Sequence, residues 1–165
     1  GTKLGNSIRS LLLDTSIEKS PASITELLLY AADRSQHVHE IIRPALNKGD
    51  WVISDRFCGS TLAYQGHGRK LDINLIKDLE TIATQGISPD ITFLLDIPVE
   101  ESLKRRINRE DDRIEKEGKE FLLNVSLGFK ELSEDSKWKK ISAIDSKEKI
   151  TSEIQFEIKK LIKNK

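Results

Sequence analysis

Asp55 and Arg56 stand side by side directly behind a short apolar run, Trp51-Val52-Ile53. A carboxylate can hold a metal ion through its waters, and a guanidinium meets phosphate oxygens with paired donors. At the carboxyl end of a strand in an open α/β sheet, where ligands bind, such a pair suits a cation and a phosphate. Ser60, Thr61, Tyr64 and Gln65 follow, polar groups of the kind that can read a flat polar ring. The plainer alternative is a surface ion pair in a βα loop. A second constellation is Tyr30, Arg34 and His37, spaced i, i+4 and i+7 along one side of a helical pattern. A ring and an arginine one turn apart can stack on a base and hydrogen-bond to it. Alternatively, Tyr30 is a core or interface aromatic, and Arg34 pairs with Asp33 or Glu26. A third is the basic run Lys104, Arg105, Arg106, Arg109 and Arg113, interleaved with Glu110, Asp111, Asp112 and Glu115. This is either a solvated, salt-bridged helix face or a mobile lid that brings arginines onto a polyphosphate.

The elements that must position these groups alternate between strand and helix. Leu4, Ile8, Leu11 and Leu12 stripe a short helix over 4–13. A loop with Pro21 follows, then a long helix over 23–48. Its expected cap is Ser23, with Glu26 three residues on, and Pro44 should bend or break it. The run 51–54 reads as a strand buried on both faces. Asp72 caps a helix that ends at Gly86, and 91–97 is a second apolar strand. Helices follow from Val99 and over 119–133, with a third short strand at Ile144-Asp145 and a last helix over 147–163. This is the pattern of a parallel sheet flanked by helices.

Composition narrows the class. The chain has 165 residues, suiting one domain, with 37% hydrophobic and 33% charged residues. Lys plus Arg and Asp plus Glu number 27 each, so the net charge is zero, which argues against a general nucleic-acid or anionic-membrane binder. No apolar run approaches the ~20 residues of a membrane span. Cys58 is the one cysteine, so no intramolecular disulfide forms, a pattern that fits a reducing cytosol. No zinc-ligand spacing occurs. There is no methionine, and Gly1-Thr2 runs almost directly into a helix. The expectation is that the start of a longer protein is missing.

Taken together, several stretches resemble bacterial-type thymidylate kinase. They are Gly1-Thr2 with Leu4 to Leu13, Glu26 to Arg34, Ile42 to Leu46, Gly49 to Arg56, Ser60 to Gly66, Pro89 to Pro98, and Asp112 to Glu115. They keep the family's order over nearly the whole chain. The resemblance implies a P-loop nucleoside-monophosphate-kinase-like α/β fold, with residues 1–165 forming a single kinase domain and a lid near 104–118. It implies transfer of the γ-phosphoryl group of ATP to dTMP with Mg²⁺, in a cytoplasmic homodimer that includes the helix at 23–48 in its interface. Tyr30 would stack on thymine, and Arg34 would bond its carbonyl. Arg56 would hold the phosphate, Ser60 and Thr61 would lie along the base, Tyr64 would close over the sugar, and Gln65 would sit nearby. Asp55 would organise Mg²⁺ or its waters. Arg105, Arg109 and Arg113 would stabilise charge on the transferred group.

One part of the family pattern is absent. The 165 residues contain no G-x-x-x-x-G-K-[ST] phosphate loop; the only Gly-Lys pair, Gly118-Lys119, is followed by Glu120. The chain alone is therefore expected to be inactive and to fold poorly, with apolar faces of 51–54 and 91–97 exposed. The rival readings are a truncated, non-catalytic paralogue that binds dTMP or dimerises, and a related deoxynucleoside kinase.

Overall fold

The computed structural model describes residues 1–16, 19–106 and 110–163. Helix α1 (Lys3–Leu13) is opened by Thr2, whose Oγ1 accepts from Gly5 N at 2.9 Å. Helix α2 (Ser23–His37) runs without interruption through a π-helical turn, Val38–Ile42, into α3 (Arg43–Asn47). Ala22, not Ser23, occupies the cap position, and it makes no side-chain cap bond. Glu26 is fully buried and bonds elsewhere, so no capping box forms. Pro44 does not break the helix. The π turn ahead of it shifts the register, with Arg43 N–H bonding to Val38 O, and leaves Pro44 in the first turn of α3, where a missing N–H costs little.

Residues 51–54 are not a strand. Trp51 is 64% exposed and Ile53 92%, and the run pairs with no neighbour among the described residues. An apolar run becomes a buried strand only when a sheet bonds its backbone and a layer covers it. The exposed apolar faces expected for this region are present, Leu95 on the neighbouring sequence strand included.

The stretch behind it, expected to be a loop, is helical. Helix α4 (Cys58–Thr61) continues as a π-helical segment, Leu62–Gly68. Asp72 caps α5 (Ile73–Thr84) through Asn74 N at 2.7 Å, and Gln85, at φ 52°, ends it. Strand β1 (Thr92–Asp96) leads to α6 (Val99–Lys104), a 3₁₀ turn Glu115–Glu117, and α7 (Lys119–Leu132). Strand β2 is Trp138–Ser142, upstream of the expected Ile144-Asp145, which lies in a turn. Helix α8 (Lys147–Lys163) follows. Among the described residues β1 and β2 form a two-stranded parallel sheet, Thr92 opposite Trp138 and Asp96 opposite Ser142. The parallel pairing requires the crossover that α6 and α7 supply.

The core that fixes the site lies between Leu62–Gly68 and α7. Ala63, Ile114, Phe121 and Val125 are buried there, with Leu13, Tyr64 and Phe129 against them. Two glycines let the segments approach. A Cβ on Gly68 would come within 2.6 Å of Phe121, and one on Gly128 within 2.6 Å of the His67 ring. Among the described residues no helix is long and apolar enough to cross a membrane.

Candidate active site

Helix α2 presents Glu26, Tyr30 and Arg34 one turn apart, and the α4 segment runs alongside with Thr61 and Gln65. Two polar rungs join them. At one end Arg34 Nη2 donates to Thr61 Oγ1 at 2.7 Å. At the other Gln65 Nε2 donates to Glu26 Oε1 at 2.8 Å. Tyr30 lies between the rungs on α2, partly buried, and burial pushes its phenol above its usual value. An aromatic ring, a guanidinium and an amide are the group types that can stack on and hydrogen-bond to a flat polar ring.

Arg34 is fixed from several directions. Its Nε lies 2.7 Å from Glu80 Oε2, and its guanidinium sits 5.1 Å over the Phe57 ring. The alternative partners, Asp33 and Glu26, are not the ones it takes.

Arg56 is exposed. Its backbone is left-handed, with φ 69°, a conformation that costs a non-glycine residue about 1 kcal/mol. Ser54 Oγ donates to Arg56 O at 2.8 Å and holds that turn. The turn sends the guanidinium over the Tyr64 ring at 5.1 Å, where Nη2 reaches Tyr64 Oη at 3.4 Å. Tyr64 is braced edge-on by Phe121 and Phe129, each 6.1 Å away between centroids. Asp55 is exposed beside Arg56, and Ser60 is partly buried one residue before Thr61. A non-glycine residue held at a positive φ is a backbone strain that often accompanies ligand sites.

The basic run divides. Arg105 is exposed and donates from Nη1 to Ala143 O at 3.1 Å, beyond the end of β2. Arg106 pairs with Glu115 at 3.1 Å. Arg109 lies outside the described residues. Arg113 is 7% exposed; its Nη2 meets Glu26 Oε2 at 2.6 Å, and its Nε donates to Leu12 O at 2.6 Å. Arg105 and Arg113 are thus held by different parts of the fold.

Glu26 is the centre of this region. Besides Gln65 and Arg113, it takes Arg69 Nε on Oε1 at 3.1 Å and Arg69 Nη2 on Oε2 at 3.0 Å. Burial alone would raise its carboxyl; the hydrogen bonds from Arg69, Arg113 and Gln65 outweigh that and hold it below the usual carboxylate range.

The family model for thymidylate kinase matches residues 1–154. The chain belongs to the thymidylate kinase family. The thymidylate kinase of Prochlorococcus marinus strain NATL2A is 86% identical over 165 residues, which is 100% of this chain and 78% of that relative. The thymidylate kinase of Synechococcus sp. strain CC9605 is 54% identical over 158 residues, 96% of this chain and 76% of the relative. The parallel strands and flanking helices agree with the P-loop kinase-like fold of this family.

Within this thymidylate kinase chain, sequence reasoning left Glu26, Arg69 and Glu80 without a role in the site. A signal existed for the acids. Glu26 adjoins Leu27 on the buried face of α2, and Glu80 falls between Ile76 and Ala83 on the buried face of α5. An acid at a core position is rarely there without a partner.

Proposed function

We propose that the protein phosphorylates dTMP to dTDP with ATP, a step of dTTP synthesis, and that this chain carries the acceptor half of the site. The observation that carries the reading is the frame around Tyr30, with Arg34 and Thr61 at one end, Gln65 at the other, and Arg56 nearby over Tyr64. Thymine would stack on Tyr30 and accept from Arg34, with Ser60, Thr61 and Gln65 along its edge. Tyr64 would close over the sugar, and Arg56 would hold the dTMP phosphate.

Phosphoryl transfer needs positioning and positive charge more than a covalent group. Arg56 would orient an acceptor phosphate oxygen toward the γ-phosphorus of ATP. Arg105, Arg109 and Arg113, in a lid near 104–118, would offset charge on the transferred group when that segment closes; in the present arrangement Arg113 is committed to Glu26. Mg²⁺ would neutralise phosphate charge. Asp55 fits it as an exposed carboxylate open to a hydrated ion, because Mg²⁺ keeps several of its waters. A cytoplasmic homodimer accords with the family, and Ile24 and Leu28 on α2, 45% and 53% exposed, support a partner surface on that helix.

The test is dTDP formation by a chimera that joins this chain to the residues of the Prochlorococcus marinus relative outside the matched part. With ATP and Mg²⁺ it should convert dTMP and leave thymidine unchanged. The 165-residue chain alone, without a phosphate-loop motif, should form no dTDP. Thymidine phosphorylation by the chimera would favour a deoxynucleoside kinase instead.

A further inference from the structure

Glu80 is 4% exposed, on the buried side of α5. Its Oε2 lies 2.7 Å from Arg34 Nε, yet neither carboxylate oxygen nor that Nε–H completes an aligned hydrogen bond. A buried pair held this way is a poor source of stability, because desolvation offsets the attraction. It does restrict the guanidinium. Glu80 faces Nε, Thr61 takes Nη2 at 2.7 Å, and Phe57 covers one face at 5.1 Å. The direction in which Arg34 can present its remaining donors is thereby set.

We propose that Glu80 is a positioning residue that sets pyrimidine specificity by locking Arg34 to receive a ring carbonyl and to refuse a ring amino group. This rests on the reading of Arg34 as the base-contacting cation. A guanidinium only donates, so it pairs with the 4-keto oxygen of thymine and opposes the 4-amino group of cytosine. Discrimination is sharp only if the guanidinium cannot turn aside from the mismatched donor, and Glu80 removes that freedom. Cys58 lies beside the same carboxylate. Burial, with the Glu80 carboxylate facing the thiol, pushes it up to about 12.

The experiment titrates the chimera described above with dTMP and dCMP by calorimetry, beside the same chimera carrying Glu80→Gln, Glu80→Asp or Arg34→Ala. Glu80→Gln should weaken dTMP binding about tenfold, the value of one charge-assisted contact, and narrow the dTMP-to-dCMP preference by a similar factor. Its Cys58 should react faster with a thiol reagent, showing that the charge facing Cys58 has gone. Glu80→Asp keeps the charge but withdraws it by one methylene, so it too should narrow the preference, with helix content unchanged. If both Glu80 variants keep the wild-type preference while Arg34→Ala loses it, the role of Glu80 is wrong and the reading of Arg34 stands. If Arg34→Ala also keeps it, the base-contact reading fails, and the proposal fails with it.

Discussion

Arg113 and Glu26, 87 residues apart in sequence, meet at 2.6 Å with both side chains buried. The contact fastens the 110–118 stretch to α2, next to the residues that frame Tyr30. Arg69 joins the same carboxylate and also reaches Glu117 at 2.6 Å. Glu26 thus ties α2 to Gln65, Arg69 and Arg113, and Arg113 carries the tie on to Leu12 O at the end of α1.

Removing that acid should be costly. Glu26→Gln leaves two buried guanidinium groups without their charge partner, and the expected loss of stability is about 3 kcal/mol. The pH dependence has a definite sign. The folded carboxyl titrates below its ordinary value of 4.5, so its contribution is present above that value and is lost as pH falls through the folded one. Urea melts at pH 7 and pH 3.5 should show a smaller acid-induced loss in Glu26→Gln than in the wild type. An equal loss would place the acid sensitivity elsewhere.

Cys58 should be unreactive. With its thiol pushed up to about 12, it exposes little thiolate at pH 8. Its reaction with a disulfide reagent should be on the order of 100-fold slower than that of a free cysteine, and should recover that rate in denaturant. Rapid labelling of the folded chain would contradict the burial against Glu80.

The approach of α7 to Leu62–Gly68 depends on Gly128, where a Cβ would lie 2.6–2.8 Å from three atoms of His67. Gly128→Val should destabilise the chain by about 2 kcal/mol, because the neighbour is a ring and its own Cβ rather than a flexible tip. A melting temperature equal to that of the wild type would show that the two segments separate without cost.

Much of this was legible from local pattern. The helices at 4–13, between Asp72 and Gly86, at 119–133 and at 147–163 follow from apolar periodicity, and α5, α7 and α8 end within a residue or two of their expected bounds. The non-strand course of 51–54 was not, because sheet membership depends on a partner that a local run does not specify. The π-helical course of 62–68 was hidden for a related reason. Gly66 and Gly68 carry no helical signal in the sequence, and only the fold shows the close packing they permit against Ile73 and Phe121. In the site, Tyr30 and Arg34 shared a helix face on spacing alone. Their partners did not show, since Thr61, Gln65 and Glu80 lie at least 27 residues further along the chain. Glu26 looked like a capping acid because its spacing from Ser23 was right; only three-dimensional packing brings Arg69 and Arg113 to it.

The central claim is that the Tyr30 frame and Arg56 form a dTMP pocket. Calorimetric titration of the chimera with dTMP, beside its Arg56→Ala variant, tests it most directly. The account predicts saturable binding of one dTMP per chain, weakened at least tenfold by loss of the phosphate-holding cation. No saturable binding by the folded chimera, or equal binding by its Arg56→Ala variant, would contradict it.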